Sequence, residues 1–103
     1  MKSLRLFFPV ALLLVFASCG DKTDVVESGT YQGVVHEVEA DKTEIYVKTP
    51  DDKLLELYFT ETTTLTRNGQ TVEFSELAEG TEVEVVVEKV GQRLDPVSVK
   101  ILE

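Results

Sequence analysis

Residues 81–90 constrain the fold more than any other stretch. There Val83, Val85 and Val87 alternate with Glu82, Glu84 and Glu88. A two-residue period puts the valines on one face and the glutamates on the other, as in a strand with one face in a core and one in water. An α-helix cannot use this pattern, because residues two apart point about 200° apart around its axis.

The pattern recurs along the chain. Residues 43–49 place Ile45 and Val47 on one face and Glu44, Tyr46 and Lys48 on the other. Residues 54–60 turn Leu55, Leu57 and Phe59 inward and Glu56 and Tyr58 outward. Val97, Val99 and Ile101 make a last inward row, with Ser98 and Lys100 outward. The first segment, residues 30–39, is rich in strand formers but slips phase. Tyr31, Gly33 and Val35 share a face, and Val38 falls off it. One extra residue in a strand does this, and glycine inside a strand often marks such a bulge.

Turn chemistry separates these runs: Ala40-Asp41-Lys42, the Pro50-Asp51-Asp52-Lys53 tetrapeptide, Asn68-Gly69 and Gly91-Gln92-Arg93. Asn-Gly is the strongest short hairpin signal. Residues 74–80 fit one short helical turn, with Ser75 as N-cap and Gly80 as stop. The order predicts an all-β domain of about five strands with one short helical turn. A flat sheet this small leaves an apolar face and two bare edges. Closing it into a barrel, wholly or partly, buries the inward rows.

The N-terminus follows different rules. Lys2 and Arg5 precede an apolar run over residues 6–16, then Ala17, Ser18 and the chain's single cysteine, Cys19. This is the layout of a secretory signal peptide. A membrane span needs about 20 apolar residues, which this run lacks, and Pro9 interrupts it. Phe16-Ala17-Ser18-Cys19 resembles the bacterial lipobox: a bulky apolar residue, two small ones, then cysteine. Phe16 departs from the more usual leucine. The resemblance implies that residues 1–18 are removed, that Cys19 is lipidated, and that the chain is a membrane-anchored lipoprotein of the cell envelope, facing the periplasm or the surface. Several acyl chains on one residue anchor stably where a single chain does not. Residues 4–16 are expected as a helix detached from the barrel. Residues 19–29 read as a polar lipidated tether, and residues 30–103 as the barrel domain.

The barrel segment also resembles a known architecture. Gly33-Val34-Val35 opens the first strand, and the 45–59 hairpin follows. Residues 64–67 precede the glycine turn, and Leu77-Ala78-Glu79-Gly80 leads into Val83 and Val85. Together, over residues 31–102, they resemble the OB-fold, and more narrowly small bacterial envelope domains of unknown function. An SH3-like barrel is the alternative.

Charge narrows the partners. The chain carries −9, and losing Lys2 and Arg5 takes it to −11. Such a chain repels phosphate backbones, which argues against nucleic acid. Cys19 has no second cysteine to pair with, so no intrachain disulfide supports the fold. His36 is the only histidine and lacks the companions of a zinc set. It reads as a solvent-facing strand residue. Asp51-Asp52 lacks the spaced oxygens of a calcium loop. No nucleophile motif or phosphate-binding loop is present, so neither an enzyme nor a cofactor is expected.

One constellation remains. Pairing Tyr46 with Tyr58 would also set Lys48 opposite Glu56, Val47 opposite Leu57 and Ile45 opposite Phe59, each chemically matched. Two exposed tyrosines would then stand on the strand-2 and strand-3 face, flanked by the turns near Asp41 and Gly91, where OB-folds take ligands. Tyr46, Tyr58 and Lys48 are therefore the candidate binding residues for a protein, peptide, glycan or cationic small molecule. The competing expectation is a structural spacer or accessory subunit of an envelope complex, with the tyrosines only stabilising the sheet.

Overall fold

The computed structural model describes residues 22–102, so the expected signal helix and Cys19 lie outside the described residues. Seven strands follow in order: β1 (Gly29–Glu39), β2 (Glu44–Lys48), β3 (Leu54–Tyr58), β4 (Thr64–Arg67), β5 (Gln70–Thr71), β6 (Glu82–Val90) and β7 (Arg93–Ile101). Five of them form a circuit. β1 pairs with β2, β2 with β3, β6 with β1 and β7 with β6, all antiparallel. A parallel bridge, Leu57 to Leu94, joins β3 to β7 and closes the barrel. This is the closed barrel of about five strands that the alternation predicts, in the OB-like arrangement that the resemblance implies. The β4–β5 hairpin is an addition, with β4 running parallel beside β7. Asn68 and Gly69 both take positive φ at its turn (55° and 81°), as a two-residue hairpin turn requires. The helical pieces described are two 3-10 turns, Ala40–Lys42 and Phe74–Glu76, rather than one. Ser75 lies inside the second turn and does not cap it.

The inward rows fill the barrel. Val35, Ile45, Val47, Leu55, Leu57, Val83, Val85, Val87 and Val99 are essentially inaccessible. Each such burial stabilises the fold by about 1.5–3 kcal/mol relative to exposure. Leu65 and Leu77 extend the core, and Phe59 packs edge-on against Phe74 with ring centroids 5.0 Å apart.

Two bulges reset the alternation. The β1–β2 register shifts between Val35 and Glu37, leaving His36 as the extra residue behind the predicted phase slip. Gly33 serves another purpose. A β-carbon there would lie 2.5 Å from the Lys48 carbonyl oxygen and 2.7 Å from Val47 Cγ1, so glycine lets β1 close tightly on β2. The second bulge corrects a sequence expectation. Val97 points outward and is 48% exposed. The β6–β7 register skips from Val86–Ser98 to Val87–Pro96, making Val97 the inserted residue and placing Pro96 inside. Proline has no N–H for a ladder and is tolerated at such an irregularity.

The β2–β3 register also differs from the expected one. Tyr46 pairs with Glu56, Glu44 with Tyr58, and Lys48 with Leu54. The shift is two residues, so every side chain keeps its face. Pro50 explains it. Proline cannot donate to a ladder, so it occupies the turn, and Thr49 closes the hairpin by donating its N–H to the Lys53 carbonyl. Asp52 donates to the Thr49 carbonyl and takes φ 72°, completing a three-residue loop.

Residues 22–28 pack along the barrel. Asp24 donates its N–H to the Leu54 carbonyl (2.8 Å), and its carboxylate accepts the Leu54 N–H (2.9 Å). Val25 and Val26 pack on the core. Ser28 Oγ accepts the Lys89 N–H.

Candidate functional site: the outer face of β2 and β3

Hairpin geometry sets the outer row. Ile45 and Val47 face the core on β2, and Leu55 and Leu57 on β3, which forces Glu44, Tyr46, Lys48, Glu56 and Tyr58 to the other side. A groove of about 590 Å³ runs here, bordered by Tyr46, Lys48 and Glu56, by His36 and Glu37 of β1, and by Lys22 and Thr23 of the N-terminal segment. Glu56 and Tyr58 also border a smaller hollow of about 90 Å³ beside Gln92 and Arg93.

The candidate residues share this face but do not pair as expected. Tyr58 is 46% exposed, whereas Tyr46 is half-buried. The Tyr46 hydroxyl donates to Glu56 Oε2 over a long 3.5 Å. Lys48 does not meet Glu56. It pairs with Asp52 in the hairpin loop at 3.6 Å, an exposed contact of little energetic weight.

Glu44 is the residue that sequence reasoning misplaced. Alternation puts it outward, as observed, yet it is 0% exposed. It stands opposite Tyr58 on β3 and Glu39 on β1, with Tyr46 two positions along its own face. Its carboxylate lies against Glu56, Tyr58 and Tyr46, but neither oxygen reaches hydrogen-bond geometry with any group. Burial, and then neighbouring Glu56, push its pKa above the ordinary glutamate value. The tyrosines respond in turn. The Glu44 carboxylate, followed by desolvation, pushes Tyr58 up to about 12, and burial raises Tyr46 further. Both phenols therefore stay protonated at neutral pH, available as donors. No periodicity signals this burial, because alternation sets only the face, while the groups opposite Glu44 belong to β1 and β3.

Comparison with solved structures gives the same fold. A copper(II)-bound tryptophan-to-alanine variant of Escherichia coli CusF superposes with a TM-score of 0.59 at 13% identity, covering 75% of this chain and 94% of that one. Silver(I)-bound CusF from Escherichia coli gives 0.56 at 13% identity, with the same coverage. A further Ag(I)CusF structure gives 0.54 at 14%, covering 71% and 95%. Neither a protein-family model nor a curated protein matches the chain.

The residues present do not fit those metals. Soft monovalent ions such as silver(I) favour thiolate and thioether sulfur, and copper(II) favours imidazole nitrogen together with oxygen. The chain's one methionine, Met1, and one cysteine, Cys19, both precede the described residues, and His36 is its sole imidazole. Among the described residues no cluster of three metal-ligating side chains occurs. Carboxylates and phenols occupy the β2–β3 face instead.

Proposed function

We propose that this protein is a non-enzymatic binding module of the cell envelope, held at the membrane through lipid on Cys19, and that the outer face of β2 and β3 takes its partner. The observation that carries the reading is the groove beside Tyr46, Lys48 and Glu56, which shares Glu56 with the smaller hollow that exposed Tyr58 borders. This is the face on which OB-like barrels take ligands. The partner is a protein, peptide or glycan. Phenol rings suit stacking against flat apolar surfaces, and their protonated hydroxyls suit hydrogen bonding. The spacer reading has no comparable observation in its favour.

Two experiments test the two halves. Affinity capture from native membranes should recover a partner with the wild-type chain and lose it with the Tyr46→Ala, Tyr58→Ala double variant, both variants melting as folded proteins. Equal recovery leaves the tyrosines as sheet stabilisers and favours the spacer. Separately, Cys19→Ser should move the protein from the membrane to the soluble fraction, and mass spectrometry of the mature wild-type N-terminus should show an acylated cysteine. An unmodified cysteine refutes the anchor.

A further inference from the structure

The binding face contains a carboxylate without a partner. Glu44 is fully buried on it, and neither of its oxygens has a hydrogen-bond donor. A buried polar group is normally satisfied, and an unpaired buried charge is costly. The phenol hydroxyls of Tyr46 and Tyr58 lie beside it but stop short of hydrogen-bond geometry. Glu56 and Tyr58 approach from β3, Tyr46 from β2 and Glu39 from β1, and none of these is a cation. Among the described residues, the basic side chains with ion-pair partners are engaged elsewhere: Lys48 with Asp52, Arg67 with Glu76, Lys89 with Glu27, Arg93 with Asp95 and Lys100 with Glu84. Lys22 borders the groove and makes no ion pair with Glu56 or Glu44. Among the described residues, Lys22, Lys42 and Lys53 make no ion pair and none reaches Glu44, so a cationic ligand would supply the missing complement.

We infer that Glu44 and Glu56, flanked by the rings of Tyr46 and Tyr58, form a site for a primary alkylammonium group. Two carboxylates are too few for a calcium cage, which takes six to eight oxygens. They suit an ammonium group, which has three N–H donors to distribute between carboxylates and phenol oxygens. Phenol faces attract a cation within about 6 Å of the ring centre, and an alkyl stem can lie along them. Glu56, on the rim shared by both hollows, is the first contact. Tyr58, opposite Glu44 on β3 and half in solvent, is the side chain placed to move aside and admit the ligand to Glu44. This inference rests on the proposed binding face and specifies its ligand chemistry.

The test titrates the full-length chain, in neutral detergent, with 1,5-diaminopentane, a lysine-bearing peptide, 1,5-pentanediol and calcium chloride. Calorimetry and tyrosine fluorescence report binding. The expected result is saturable binding of the diamine, of the peptide or of both, and none of the diol. Diamine alone marks a small-molecule site, and peptide alone marks a protein-borne lysine. Glu44→Gln, of the same shape, should weaken binding by about tenfold or more, as loss of a charged hydrogen bond implies. Glu56→Gln, on the accessible rim, should weaken it too and serves if Glu44→Gln misfolds. Affinity should rise with pH as Glu44 loses its proton. No saturable ammonium binding at millimolar concentration, equal binding by both Gln variants and wild type, or preference for calcium overturns the site. If membrane capture still depends on the tyrosines while every ammonium fails, the binding face stands and only its ligand chemistry falls.

Discussion

Gly33→Ala probes the tight contact between β1 and β2 on which barrel closure depends. The added β-carbon would sit 2.5 Å from the Lys48 carbonyl oxygen and 2.7 Å from Val47 Cγ1. Carbon–oxygen contacts between strands normally run about 3.3–3.6 Å, so that oxygen must retreat by roughly 0.8–1.1 Å. It belongs to a residue held opposite Val34, and Val47 is fully buried, so neither neighbour can swing clear. Overpacking of this kind costs about 1–3 kcal/mol. Removing glycine's freedom in the unfolded chain offsets about 0.4–1 kcal/mol. At the middle of these ranges the net loss is about 1.3 kcal/mol, which lowers Tm by roughly 5–10 °C in a domain of this size. Thermal melts followed by circular dichroism read this directly, with exposed Val34→Ala as the neighbouring control. A Gly33→Ala protein that melts at or above wild type would refute the close-approach argument.

Core and bulge are tested together. Leu57→Ala should cost about 2–5 kcal/mol in denaturant melts, whereas Val97→Ala should change stability by no more than about 0.5 kcal/mol. A costly Val97→Ala would put the β7 bulge in the wrong place. Glu44 predicts a pH dependence. Its pKa is raised by burial and by Glu56, so the folded chain holds its proton more tightly than the unfolded chain. Its contribution is full below the ordinary glutamate value of 4.5 and declines as pH rises through the folded value. Plotted as the difference between wild type and Glu44→Gln, the wild type should lose relative stability across that window, and a flat difference curve would show that Glu44 ionises without penalty.

Much of the barrel was legible in the sequence because period two survives wherever one face is buried. Residues 83, 85 and 87 show it without interruption. Val38 betrayed the β1 bulge because the phase slip falls between apolar residues. Val97 betrayed nothing: an exposed valine at a bulge keeps the apparent alternation of 97, 99 and 101 intact. The hairpin register failed for a related reason. Matching Tyr46 to Tyr58 and Lys48 to Glu56 satisfied cross-strand chemistry, but the turn decides register, and Pro50 moved the closing pair to Thr49 and Lys53. Because the error was two residues, the face assignment survived and Tyr46, Tyr58 and Lys48 share one side. The unpaired carboxylate was hidden altogether, since glutamate at an outward position signals solvent until its neighbours on β1 and β3 are known.

Site-specific photo-crosslinking in native membranes tests the binding face most directly. A photoreactive phenylalanine replaces Tyr58 in one version and exposed Glu88 in another. Glu88 lies on β6, two strands from both β2 and β3 around the barrel. A partner seated on the β2–β3 face should give a discrete adduct from position 58 and none from position 88. Adducts of equal yield from both positions, or from position 88 alone, would contradict the account.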